Sequence, residues 1–191
     1  MDWVSALFLY SVSVLFIQLR NEVIAFKEFR SSRCVKKEFV VEYYECPGDF
    51  YSSYKTLTGK RLLFTGPEDE KHAYFHELGH LIYDKFWADA PVAGLILIPF
   101  FVLPFPWYWL GAATVYIATM WIRKTQERRA DIFAYQVTGL KYVPAYLEKS
   151  KLELLIHWLF WSHPPEIVRV KDEYYKKEIS LFKLFVASLT S

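Results

Sequence analysis

The first strong pattern in the chain is an uncharged stretch near its N-terminal end. Residues Trp3 to Leu19 contain no charged side chain over seventeen positions. At a helical rise of about 1.5 Å per residue, this stretch approaches the thickness of a bilayer core, about 30 Å. It lacks the leading basic residues and the small-residue exit of a cleaved signal peptide. We therefore expect a retained membrane anchor over residues 1–20.

Basic residues follow this stretch and predict its orientation. By the positive-inside tendency, the side that carries them faces the cytoplasm and the N-terminus faces outward. They are Arg20, Lys27, Arg30, Arg33, Lys36 and Lys37.

A second apolar block, residues 90–122, has no charged residue and contains four prolines. The turn expected at Pro104-Phe105-Pro106 divides it into arms of roughly 86–103 and 107–122. Each arm would be about 24–27 Å long as a helix, which is short for a full span. We predict a hydrophobic membrane hairpin. A buried hairpin in the core of a soluble protein is the alternative.

The polar stretch between these blocks, residues 21–89, predicts a small sheet followed by a helix. Glu38–Cys46 and Phe50–Leu57 are typical of strands, and Thr58-Gly59 predicts a turn into a third strand at 61–65. An exposed edge of such a sheet is a place where an extended peptide can add as a further strand.

Three further segments follow the second block. Arg123 to Gly139 predicts a helix that ends at Gly139, and Ala145 to Trp161 predicts a helix stopped by Pro164-Pro165. The tail, Ile179 to Leu189, is apolar but short, and we expect it to lie on the membrane or on the domain.

Composition limits the chemistry of this 191-residue chain. Hydrophobic residues make up 53% and aromatic residues 19%, more than one soluble core needs, and the net charge of +2 implies no polyanionic partner. No nucleotide-binding loop or nucleic-acid motif is present. Cys34 and Cys46 form no CxxC pair, so we expect neither a disulfide framework nor a thiolate zinc site. Histidines and carboxylates would then hold any metal.

The five residues His76-Glu77-Leu78-Gly79-His80 form an HExxH motif. Positions i and i+4 of a helix share one face, so both imidazoles can reach one Zn²⁺, with Glu77 one step round the helix. Two surface histidines on an amphipathic helix are the alternative. His72 lies one turn earlier, but three successive i, i+4 histidines cannot converge on one ion. We therefore expect His72 to be a wall residue.

A catalytic zinc site needs a third protein ligand. The pattern HExxHxxGxxH is excluded because Tyr83 and Phe86 stand where glycine and histidine are required. Glu127 is the candidate, and Asp131, one turn later, can accept the distal N–H of a liganding histidine. An ordinary solvated helix face is the alternative for both. His80 and Glu127 must lie on one side of the membrane, as a hairpin between them allows.

Three ordered motifs resemble a known family. They are HELGH at 76–80, Glu127-Arg128-Arg129-Ala130-Asp131, and Ser162-His163-Pro164-Pro165 with Arg169. Together they are similar to the membrane metallopeptidases that include the heat-shock protease HtpX and the CAAX prenyl protease. The chain is shorter than typical members and has one N-terminal membrane segment where HtpX has a pair.

The resemblance implies the role of each motif residue. His76, His80 and Glu127 would bind one zinc ion per chain, Glu77 would be the catalytic base, and Asp131 would support a ligand. His163 would lie in the active-site cleft. For the developing oxyanion, His163 is the first candidate, with Arg169 or an unidentified tyrosine as alternatives. We expect His157 to be structural or exposed.

The expected fold is mainly α, of the α+β class, and of the gluzincin type. An anchor (1–20) precedes the first half of the catalytic domain (21–89), the membrane hairpin (90–122) and the second half (123–191). The site is expected on the cytoplasmic side of a multi-pass protein in the cell membrane. An intramembrane site-2-type protease is disfavoured because Lys71, Asp84 and Lys85 flank the motif.

The predicted function is a membrane-bound zinc endopeptidase. Its partners would be the lipid bilayer and protein or peptide substrates that are membrane-associated or misfolded, with no nucleic acid and no nucleotide. A zinc-containing membrane adaptor or chaperone-like protein without catalysis is the alternative, because structural and catalytic sites can share three ligands.

Overall fold

The computed structural model describes residues 3–31, 33–56, 58–66, 70–84, 98–99, 103–104 and 106–190. In this part of the chain the fold is mostly helical with one small mixed sheet, which confirms the α+β class. The longer helices are α1 (Trp3–Ser31), α2 (Lys71–Tyr83), α3 (Trp107–Thr138) and α4 (Lys151–Phe160). Helix α5 (Glu166–Arg169), a 3-10 helix (Asp172–Tyr175) and α6 (Leu181–Thr190) follow. The strands are β1 (Val35–Glu38), β2 (Glu42–Pro47), β3 (Ser52–Lys55) and β4 (Arg61–Thr65).

Helix α1 is longer than the predicted anchor and has two different halves. By length and composition, residues Phe8–Ser31 could cross a membrane. No other helix in the described ranges meets these two criteria. Phe8 and Phe16 in the first half are exposed, whereas Ala25 in the second half is buried against the sheet residues Leu62 and Phe64. The second half therefore belongs to the folded domain.

The predicted membrane hairpin is only partly described. Its first arm, 86–103, lies almost entirely outside the described residues. Its second arm, 107–122, is helical, but it continues without a break into the helix predicted at 123–139, so both are parts of α3. This helix does not qualify as a further span, and multi-pass crossing has no support from the described residues. The helix ends as predicted, at Gly139, whose φ of +71° favours glycine.

The sheet has the order β1-β2-β4-β3, with β2 and β4 parallel and the other pairs antiparallel. The β3–β4 hairpin and its turn at Thr58-Gly59 confirm the prediction. The single strand predicted over 38–46 is wrong, because residues 39–41 bend and β1 folds back on β2.

This bend corrects a second expectation, about the cysteines. Val35 is paired with Glu45 in the antiparallel ladder, so Cys34 stands opposite Cys46. The two residues form a disulfide, with their Cα atoms 4.2 Å apart. The expectation that they would stay unpaired is therefore wrong.

Two basic residues of α3 are buried. Lys124 is fully buried and its Nζ donates to the Trp161 carbonyl. Arg128 donates to the carbonyls of Tyr174, Lys176 and Ile179 at 2.6–2.8 Å. These side chains hold the C-terminal region against α3, so they do not form a membrane-facing basic surface.

Helix α4 is shorter than the predicted 145–161. It begins at Lys151 because the Ser150 hydroxyl accepts a hydrogen bond from the Glu153 N–H and the Glu153 carboxylate accepts one from the Lys149 N–H. The tail helix α6 packs on the domain, where Leu181 and Leu184 join a core with Trp158.

The contact between α2 and α3 joins the two halves of the domain. Gly79 lies so close to α3 that a Cβ there would be 3.0 Å from the Ala130 Cα atom and 3.3 Å from the Phe133 ring. Leu78, Leu81 and Phe133 form a buried cluster beside this contact.

We expect Gly79→Ala to separate α2 from α3. Since the nearest obstacle is backbone, the added methyl group should lower the free energy of unfolding by about 1–3 kcal/mol. Thermal unfolding in detergent would measure this loss. An unchanged midpoint would contradict the close approach of the two helices.

We expect the Cys34–Cys46 disulfide to stabilise the domain. The double variant Cys34→Ala, Cys46→Ala should lose about 2–4 kcal/mol of stability. Reductant should lower the wild-type midpoint and leave the variant unchanged. Two reactive thiols in the unreduced wild-type protein would contradict the pairing.

Candidate metal centre

The structure brings His76, His80 and Glu127 together between α2 and α3. The two Nε2 atoms of the histidines are 3.1 Å apart. The Glu127 Oε2 atom lies 3.2 Å from Nε2 of His76 and 3.5 Å from Nε2 of His80. The three atoms could hold one metal ion.

Hydrogen bonding fixes which ring nitrogens face each other. Nδ1 of His76 lies 2.7 Å from Asp131 Oδ1, and Nδ1 of His80 lies 2.7 Å from Asp84 Oδ2. A carboxylate only accepts, so each Nδ1 carries a proton, and the neutral form of each ring, which is the form that binds a metal, directs the lone pair of Nε2 inward. Glu127 Oε2 is buried with no hydrogen-bond partner of suitable geometry. With both rings in this neutral form, three acceptor atoms converge, which fits a bound cation.

The pKa values of the three residues also indicate a site that favours positive charge. Burial lowers the pKa of both histidines, but Asp131 and Glu127 raise the pKa of His76 to about 9. Asp84 and Glu127 raise the pKa of His80 to about 11. Burial opposes ionisation of Glu127, yet the surrounding imidazoles hold its pKa well below its usual range. The site therefore favours positive charge, and two imidazoles with one carboxylate are a typical zinc donor set.

Asp131 is fully buried and links the metal centre to the C-terminal region. Besides His76, it accepts hydrogen bonds from Nε and Nη2 of Arg169, both at 2.9 Å, and from the Tyr174 hydroxyl at 2.8 Å. Arg169 is itself buried, and its guanidinium lies 3.5 Å from the ring centroid of Tyr142. Arg169 thus donates two hydrogen bonds to Asp131, and its candidate role as a contact to substrate or an oxyanion stays a prediction.

Glu77, the candidate base, contacts the edge of the sheet. The Ser53 hydroxyl of β3 donates to Glu77 Oε2 at 2.7 Å. Because β3 is the last strand of the sheet, the edge at which a peptide could add runs beside the HExxH helix.

His163 lies at the mouth of the centre. Its Nε2 is 3.0 Å from Glu127 Oε2, the Ser162 hydroxyl is 3.0 Å from its Nδ1, and 45% of its side chain is exposed. It can therefore face both the cluster and a bound molecule.

Two cavities meet at this point, and His76, Glu77 and His163 line both of them. The larger, about 1160 Å³, extends under residues 140–146 and past Phe50 and Tyr51. The smaller, about 340 Å³, follows β3 and reaches Gln18 and Asn21 of α1.

The two other histidines near the site are separate from the metal cluster. His72 lines the larger cavity, as predicted, and burial lowers its pKa to about 4. His157 is buried and paired with Glu148 at 2.6 Å, so of the two expectations for it the structural one is correct.

Sequence reasoning missed three residues that support the site. The contact of Asp84 with His80 could have been predicted, since Asp84 stands one helical turn after His80 and can reach the same face. Ser53 and Tyr174 had no such signal, because each reaches its partner only through the tertiary fold.

No protein-family model, no curated protein and no solved structure matches this chain.

We expect Glu127→Ala to abolish stoichiometric zinc binding. Gln126→Ala is the matched control, because Gln126 is the neighbouring residue of α3 and lines the smaller cavity without belonging to the cluster. Elemental analysis after dialysis would measure zinc per chain. Near-stoichiometric zinc in Glu127→Ala would exclude Glu127 as a ligand.

Proposed function

We propose that this chain is a membrane-bound zinc endopeptidase that cleaves membrane-associated or misfolded proteins at the membrane surface. One observation carries the proposal: three acceptor atoms, on His76, His80 and Glu127, converge where the two cavities meet, and Glu77 lines both cavities. The acceptors fit a metal, whereas Glu77 has no ligand function and is the group that a hydrolase needs.

Zinc, when bound by these three residues, would supply Lewis-acid polarisation of the scissile carbonyl and acidify a water molecule. Glu77 accepts the proton of the attacking water and returns it to the leaving amine. Ser53 holds Oε2 of Glu77, so we assign the proton transfer to Oε1. His163 donates a hydrogen bond to the oxygen on which negative charge develops.

The proposed substrate is an extended polypeptide. Main-chain hydrogen bonds to the free edge of β3 would align it beside Glu77, in the same way as an added strand. The two cavities, one on either side of the metal centre, would accept its side chains. This arrangement favours unfolded segments, because only an extended chain can pair with a strand edge.

Membrane attachment is assigned to α1, by its length and apolar composition. The basic residues after its apolar half support a cytoplasmic site. The disulfide supports an oxidising compartment, since such bonds are rare in the cytosol outside hyperthermophiles. The thiol state of Cys34 in intact cells therefore decides between these two assignments.

The decisive variant is Glu77→Gln. It removes the proton acceptor and keeps the volume, so it should lower cleavage of an unfolded casein-like protein by roughly 10²–10⁴-fold. Zinc should stay at about one per chain, because Glu77 is not among the three converging residues.

Three outcomes separate the candidate functions. Zinc chelation should abolish wild-type cleavage, and added zinc should restore it. Cleavage by Glu77→Gln at the wild-type rate would exclude Glu77 as the base. Bound zinc without any cleavage by the wild-type protein would favour the non-catalytic adaptor.

A further inference from the structure

The floor of the larger cavity contains a buried polar cluster that the metal centre does not use. Glu148, His157 and Glu166 are 7%, 4% and 8% exposed. His157 and Glu166 line the cavity, next to His163. The cluster therefore shares this cavity with His163, which contacts Glu127.

Glu148 is fully occupied by neighbouring donors. Its Oε1 atom lies 2.6 Å from Nδ1 of His157 and accepts the Glu166 N–H at 2.9 Å. Its Oε2 atom accepts the Ile167 N–H at 3.0 Å. Glu148 thus orients His157 and the first turn of α5, and it offers nothing to a ligand.

The other two residues each retain an unused acceptor. Nδ1 of His157 carries the proton because it faces a carboxylate, and burial lowers the pKa of the ring, so Nε2 is an acceptor. Nε2 of His157 and Oε2 of Glu166 are both buried without a hydrogen-bond partner. Buried acceptors of this kind require a donor.

The nearby cations do not supply this donor. Arg169 lies 3.6 Å from Glu166 Oε1, but its hydrogen bonds go to Asp131. Lys124 donates to the Trp161 carbonyl. Burial raises the pKa of the Glu166 carboxyl, and Arg169 and the Tyr142 hydroxyl only oppose this rise. The Oε2 atom of Glu166 and the Nε2 atom of His157 therefore both lack a donor, and a cationic donor would stabilise the carboxylate form of Glu166.

The cavity walls suit a long side chain with a charged end. Tyr142, Tyr146 and Trp161 line the same cavity as His157 and Glu166. Aromatic faces pack against aliphatic stems and attract cations.

We propose that this cluster, with Glu166 as its charged member, is a subsite for a lysine or arginine side chain of the bound polypeptide, close to the scissile bond. The inference rests on the proposed function, because it names the substrate class of the same site. The ammonium or guanidinium group would donate to Glu166 Oε2 and His157 Nε2, and its stem would lie between the aromatic walls.

The test uses zinc-loaded full-length protein in detergent, with Glu77→Gln to prevent turnover. Fluorescent octapeptides that differ only in one Lys, Arg or Met residue, scanned along the peptide, are titrated. At one position, the Lys and Arg peptides should bind at least about tenfold more tightly than the Met peptide. Adding Glu166→Gln should reduce this ratio to about threefold or less. Glu178→Gln, the same charge change at an exposed residue outside the cavity, should keep the ratio.

The comparison of Lys and Met peptides uses protein that keeps Glu166. Its outcome therefore does not depend on whether the Glu166→Gln variant folds. Equal binding of the Lys and Met peptides at every position, or no binding of either, would overturn the subsite. Cleavage of peptides by the active protein would then still support the protease. A Lys preference that depends on Glu166, in a protein that cleaves nothing, would support the subsite and overturn the proposed function.

Discussion

The structure depends most on the carboxylate of Asp131, which is buried completely in the middle of the domain. It receives hydrogen bonds from helix α2 through His76, from helix α5 through Arg169, and from the 3-10 helix through Tyr174. Burial opposes its ionisation, but Arg169 and His76 hold its pKa below its usual range. A buried charge is tolerated only with this degree of pairing. The fold of the C-terminal region and the orientation of a candidate zinc ligand therefore share one anion.

This shared anion explains why the motif residues occupy such different environments. Asp131 and Arg169, which are far apart in the sequence, serve to orient other groups and are hidden from solvent. Glu77 and His163, which are assigned to the chemistry, line both cavities. The fold thus buries the side chains that orient their neighbours, Asp131 and Arg169, and leaves Glu77 and His163 accessible from the cavities.

The parts that could be predicted were those encoded over one or two helical turns. The spacing of His76 and His80, the step from Glu127 to Asp131, and the end of α3 at Gly139 all follow from helix geometry. The capping pair Ser150 and Glu153 was equally readable, although the start of α4 was predicted six residues too early. Local patterns therefore carried most of the candidate site.

The remaining features depend on tertiary contacts. Residues 39–41 are one aromatic and two β-branched residues, as is typical of a strand, but they form the bend that pairs the cysteines. Lys124 and Arg128 resemble a solvated face, because only the folded C-terminal region provides the carbonyl groups that accept their hydrogen bonds. Nothing near these residues in the sequence indicates such partners.

Helix α1 also forms part of the candidate site. Gln18 and Asn21 form part of the wall of the smaller cavity, and Gln18 donates to the Tyr54 hydroxyl of β3. No flexible tether therefore separates the apolar segment from the reaction centre. If that segment lies in a bilayer, the candidate centre would stay at a fixed distance from the membrane, and the proposed substrate would have to come to the membrane surface. A soluble fragment made by removing α1 would lose one wall of its own cleft.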